Sequence, residues 1–246
     1  MTDDAPVSWH RRVLEPRAGL FAILTTLAIS IGGLVEIIPM FTISAPNPDA
    51  VALVAPYTPL QVAGRDIYIR EGCVVCHSQM VRPFRDETLR YGLWSRSEEY
   101  AWDRPFLLGS RRIGPDLHRV GGKYPDAWHY EHMRDPRSTS PGSVMPPYPW
   151  LHTWRIDPRD VQASVVALAR LGTPYSNDEL FHTKDSLQAE ASAIVARMEQ
   201  ASIEVDWDHE IVALTAYLQR LGLDRSGPLA DIPVSGDGAA AVEEGS

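Results

Sequence analysis

Residues 73–77 read Cys73-Val74-Val75-Cys76-His77, and no other stretch of the chain carries so definite a chemistry. Two cysteines three positions apart lie about one turn of backbone from each other. Each thiol can then add across one of two neighbouring vinyl groups of a haem, and the next residue can bring its imidazole over the iron. The 246 residues contain 2 cysteines, both in this motif, which excludes a disulfide framework and a four-cysteine zinc or iron–sulfur site. A zinc site on Cys73 and Cys76 would need two further ligands, drawn from histidines elsewhere. A dithiol redox pair expects a βαβ setting that the flanking sequence does not offer. The motif reads as the attachment site of one covalently bound haem c, with His77 as proximal iron ligand.

A sixth iron ligand must come from elsewhere in the chain. Met198 falls in the apolar stripe of a helix, Met80 is too close to His77 to reach the opposite haem face, and Met133 lies among polar residues. Met145 stands in Gly142-Ser143-Val144-Met145-Pro146-Pro147-Tyr148-Pro149, where the prolines fix φ and prevent coiling into a helix. A stiff loop suits a weakly bound thioether that must stay in place. His118, His129, His132 and His152 are the rivals, and would make a bis-histidine site. Ile113-Gly114-Pro115-Asp116-Leu117 offers the Pro115 carbonyl as acceptor for the His77 ring N–H, a bond that fixes ring orientation and basicity. An ordinary Gly-Pro turn is the alternative reading of those residues.

These groups must be held by the rest of the chain, which is ordinary on average: 44% hydrophobic, 22% charged, mean hydropathy −0.18. A disordered, collagenous or polytopic membrane chain is excluded. A net charge of −9 argues against nucleic acid as a partner, since phosphate binding runs on cationic neutralisation. The same acidity suggests a surface that docks a basic soluble cytochrome. One segment departs from the average: Gly19 to Ile43 is a 25-residue run with one charge, Glu36. As a helix it spans about 37 Å, more than the ~30 Å hydrocarbon core. It is too long for a typical signal-peptide core, and Ser44-Ala45-Pro46 makes a poor cleavage site. Arg11, Arg12 and Arg17 precede it and no cation follows before Arg65, which puts the N-terminus in the cytoplasm and the haem motif outside. Gly32-Gly33 and Glu36 suit packing against partner helices.

The expected organisation is a cytoplasmic N-terminus (1–18), a transmembrane helix (19–43), an extended proline-rich linker (44–58), a mostly α domain (59–223) and a disordered tail (224–246). Within the domain the pattern predicts a helix from Leu60 to Glu71, with Gly64 facing Tyr217 in a close crossing. A second runs from Pro158 with Val161, Val165, Leu168 and Leu171 on its apolar side, and ends at Gly172. A third carries Leu187, Ala191, Ile194 and Met198, with Glu190 at its polar edge. The last opens near Asp206 and stops at Gly222. Residues 78–156 show no long periodic run, and no strand alternation is visible.

The anchor's Gly32-Gly33-Leu34-Val35-Glu36-Ile37-Ile38-Pro39, Gly64-Arg65-Asp66-Ile67-Tyr68, Cys73 to His77 with Ser78-Gln79-Met80-Val81-Arg82-Pro83, Gly114-Pro115-Asp116-Leu117, and Met145-Pro146-Pro147-Tyr148-Pro149-Trp150 together resemble the mono-haem subunit (subunit II) of cbb3-type cytochrome c oxidases. The likeness covers roughly residues 15–155. It implies a class-I-like cytochrome c domain on one membrane helix, with Met145 as distal ligand and the Pro115 carbonyl as partner of His77. It further implies a catalytic haem–copper oxidase subunit and a di-haem cytochrome c subunit as partners in the bacterial inner membrane. Electrons from donor cytochromes, a soluble cytochrome c among them, would pass to the oxygen-reducing centre through this chain, which has no oxygen site of its own. An independent membrane-anchored carrier is the alternative. A minimal cytochrome c lacks the helical insert at 172–205.

Overall fold

The computed structural model describes residues 8–42 and 48–226, which fall into two units divided at Pro46. The first seven residues, the last residue of the expected transmembrane helix with the start of the expected linker (43–47), and most of the expected tail (227–246) lie outside the described residues.

In the first unit a short helix, Trp9–Val13, leads into α1 (Ala18–Thr42). Ala18–Pro39 is long and apolar enough to cross a membrane. Pro39 interrupts the backbone ladder of α1 near its end.

The second unit is helical throughout. Its labelled elements are α2 (Pro59–Arg70), α3 (Cys73–Cys76), α4 (Arg85–Tyr91), α5 (Asp126–Arg134), α6 (Pro158–Arg170), α7 (Thr183–Gln200) and α8 (Glu210–Arg220). Among the described residues no strand forms, only one antiparallel bridge between Arg155 and His209. The core is built on the crossing of α2 and α8. A Cβ on Gly64 would lie 2.0 Å from the Ala213 carbonyl oxygen and 2.8 Å from Tyr217 Cβ, so only glycine lets the two backbones meet. Leu60, Tyr68, Ile211, Leu214 and Tyr217 are buried around that contact.

Four expectations need correction. The last helix opens at Glu210, not near Asp206. Residues 206–209 form a turn bridged to 154–156 instead, with Ile156 N donating to the Asp208 carbonyl (2.9 Å) and Glu210 N to that of Trp154 (3.0 Å). Arg155 pairs with both Asp206 and Asp208, the two carboxylates that cluster there with His209. The segment expected as an extended linker folds onto the domain from Pro48. Ala50 and Val54 are buried with Trp102, whose indole donates to the Val54 carbonyl at 2.7 Å. Leu171 lies past the end of α6 and is exposed, because the chain turns away at Gly172. Glu190, expected at a polar edge, accepts from Thr58 Oγ1 (2.6 Å) and Gln61 Nε2 (3.2 Å) and so clamps α7 of the insert to the start of α2. Burial raises its carboxyl pKa, and the two hydrogen bonds oppose that shift.

Candidate haem-attachment site

The site begins where α2 ends. Gly72 adopts a positive φ, reversing the chain into the single turn of α3. Cys73 and Cys76 thus stand one turn apart as free, half-buried thiols, and His77 N donates to the Cys73 carbonyl at 2.9 Å. Burial, with Glu71 nearby, pushes the Cys73 thiol up to about 12.

His77 is fixed from the side of residues 114–116. Its Nδ1 lies 2.8 Å from the Pro115 carbonyl oxygen. A carbonyl only accepts, so Nδ1 carries the proton and Nε2 keeps its lone pair. Burial lowers the imidazole pKa, holding the ring neutral, while the Pro115 bond and Asp116 oppose that shift. A Cβ on Gly114 would sit 2.2 Å from His77 Cε1, so the backbone packs directly on the ring. Gly114 N donates to the Cys76 carbonyl at 3.0 Å, tying the two segments together.

Behind this pair lies a polar frame that sequence reasoning missed. The buried Asp116 carboxylate accepts from Ser78 Oγ (2.7 Å), Met80 N (2.8 Å) and His118 N (2.9 Å). Arg112 donates to Ser78 Oγ and to the Met80 carbonyl, both at 2.8 Å, and its guanidinium is in turn gripped by buried Glu87. Arg112 and Arg82 hold the Glu87 carboxyl down at about 2. The sequence signal was the polar residue following the Gly-Pro pair, but pairing with residues 38 positions away has no periodic signature.

The Met145 loop is held differently. Met145 is half-buried against the core beside Tyr148 and Trp150. Tyr148 N donates to the Met133 carbonyl at 2.8 Å, and the Trp150 indole donates to Glu71 Oε2 at 3.1 Å, two residues before Cys73. The Tyr148 hydroxyl pKa is raised by burial and then by the charges of Cys73 and Cys76. Met133 and Met198 are core residues.

The rival histidines separate clearly. His118 is buried with Nδ1 taken by Tyr100 (2.9 Å), and His152 Nε2 meets the Tyr130 carbonyl at 3.0 Å. His129 is buried with neither ring nitrogen hydrogen-bonded, and burial lowers its pKa to about 4. His132 is half-buried, stacks on Trp128 and has Nδ1 2.6 Å from Thr139 Oγ1; burial and then the proximity of His77 lower its pKa.

The donor set fits a covalent haem: two free thiols one turn apart, a neutral imidazole with Nε2 available, and a glycine cradle against the ring. No curated protein matches the chain. Residues 11–224 match the sequence model of the family described as cytochrome C oxidase, mono-heme subunit/FixO, and the chain belongs to that family of haem-carrying subunits, which work with partner subunits in an oxidoreductase complex.

Proposed function

We propose that this chain is the electron-relay subunit of a cbb3-type haem–copper terminal oxidase. The observation that carries the reading is the His77–Pro115 bond beside two free thiols, in a chain of this family. Cys73 and Cys76 hold the haem c as thioethers, and His77 Nε2 is the proximal ligand. Burial keeps the ring neutral, and Gly114 and Pro115 keep it oriented, the bond to the Pro115 carbonyl raising its basicity as a ligand. Met145 would supply a thioether as the second protein ligand to the iron, and a thioether with a histidine raises the potential. When bound, the haem would supply a one-electron iron couple.

The remaining assignments follow from the same reading. The helix Ala18–Pro39 anchors the chain in the bacterial inner membrane, with the N-terminus cytoplasmic and the haem domain in the periplasm. Electrons arrive from a soluble cytochrome c or a di-haem cytochrome c subunit and leave for the catalytic haem–copper subunit.

Two measurements test the proposal. Met145→Ala should abolish the methionine–iron charge-transfer band and lower the potential, while His132→Ala should leave the band intact; an unmodified protein that lacks the band, with a spectrum changed by His132→Ala and not by Met145→Ala, would make the site bis-histidine. Mild detergent extraction should bring out a large haem–copper subunit with this chain. A solitary haem-bearing chain would make it an independent carrier instead.

A further inference from the structure

Five arginines gather beside the Cys73–His77 motif. Arg82, Arg85 and Arg90 lie on or next to α4, and Arg111 and Arg112 lead into Ile113-Gly114-Pro115. Four of them are exposed and Arg112 is half-buried. The carboxylates on these two segments are Asp86 and Glu87, and Glu87 is buried and bound to Arg82 and Arg112. Asp86 is exposed, so the outward-facing charges of the two segments are four arginines against one carboxylate, a net positive face on a chain that as a whole carries −9. Arg82, Arg90 and Arg112, with Asp86 and Glu87, line one cavity of about 270 Å³ whose wall includes Gly114 and Pro115, the residues that touch His77. Arg90 and Arg112 both lie over the Tyr91 ring, at 5.1 and 5.3 Å, which holds their charges in place.

Exposed apolar side chains accompany these cations. Ile113 is 61% exposed, one residue before the Gly114 N–H that bonds the Cys76 carbonyl, and Val75 inside the motif is 51% exposed. An apolar patch with an arginine rim is the composition of a protein-binding surface, and here it adjoins the residues that hold the haem.

We propose that this arginine-rimmed face is the docking surface for a soluble electron-transfer protein that presents an acidic face. The inference rests on the haem-carrying reading above. It replaces the expectation drawn from net charge, that an acidic surface docks a basic cytochrome, because steering follows the potential at the contact and not the total. On docking, one electron leaves the donor and the ferric haem becomes ferrous; no bond forms and no proton moves.

The test uses the purified oxidase complex in detergent, its haem c content first established by absorption. Binding is measured by titration calorimetry with two probes, acidic plastocyanin and basic mitochondrial cytochrome c, at low salt and at about 150 mM, where the screening length is about 8 Å. Plastocyanin should bind about tenfold tighter than the basic probe at low salt and lose that advantage at high salt. The double substitution Arg90→Glu with Arg111→Glu should reverse the preference without changing the haem spectrum. The milder Arg111→Gln should weaken plastocyanin about threefold. Tighter binding of the basic probe, indifference to the substitutions, or no binding of either probe because a resident subunit covers the face would overturn the proposal. A complex with no haem c in this chain would overturn the reading beneath it.

Discussion

The two sides of the candidate site are built on opposite plans. On the His77 side, the bond between the ring nitrogen and the Pro115 carbonyl is backed, on the adjoining residues, by a hydrogen-bonded set of a buried carboxylate, a serine and a bridging arginine. On the Met145 side, the loop is stiffened by prolines and tied down at Tyr148 and Trp150, three and five residues from the thioether. On the proposed reading, the strong ligand is prebuilt by its neighbours, and the weak one is held by restricting where its loop can go. Buried polar networks are costly to break at any one point, whereas a loop held by separate ties should loosen by degrees.

The largest effect should come from Asp116→Ala, which strands three buried donors at Ser78, Met80 and His118. A loss of about 3 kcal/mol or more is expected in chemical unfolding of the haem-loaded chain. A loss under about 1 kcal/mol would show that the network does not act as a unit. Next comes Gly114→Ala, whose Cβ must push the His77 ring aside, at about 2 kcal/mol with a shifted haem potential. Stability reduced with the potential unmoved would place the strain elsewhere.

Acid should reach the same side through Glu87. Its folded pKa is about 2, below the ordinary carboxylate value, so its contribution is full above about pH 4.5 and fades as pH falls toward 2. The slope attributable to one such group is at most about 1.4 kcal/mol per pH unit. Glu87→Gln should flatten the acid limb of a stability profile by that proton, and an unchanged limb would refute the assignment. The smallest effect belongs to the other side. Trp150→Phe removes one hydrogen bond to Glu71 and should cost about 1 kcal/mol or less. Its telling readout is weakening of the methionine–iron band with the His77 side intact.

How much of this was legible in the sequence depended on whether the signal was local. The Cys73–His77 motif, the stiff loop around Met145 and the apolar stripes of α6 and α7 are written in neighbouring residues, and the helix limits come out within a few positions. Gly64 could be placed because small residues facing large ones mark close crossings. Asp116, Glu87 and Glu190 could not, because their partners lie 36, 25 and 132 positions away and nothing periodic links them. The early start expected for α8 failed for a related reason: Asp206 looks like a cap, but Arg155 claims it from across the domain. The net charge is an average over the chain and does not show that Arg82, Arg90 and Arg112 come together around one cavity.

The bridge between Arg155 and His209 has a topological consequence. It brings together two points of the chain between which the path leaves the haem-bearing frame, runs through α6 and α7 and returns. Entrance and exit share one doorway. Length can therefore be added to or trimmed from this excursion without re-threading the segments that carry Cys73, Pro115 or Met145. The changes such an edit must absorb lie on the apolar flanks that α6 and α7 cover and at the Glu190 clamp. The doorway is a natural splice point, where a lineage could enlarge a small cytochrome, or an engineer cut one back, while leaving its redox centre in register.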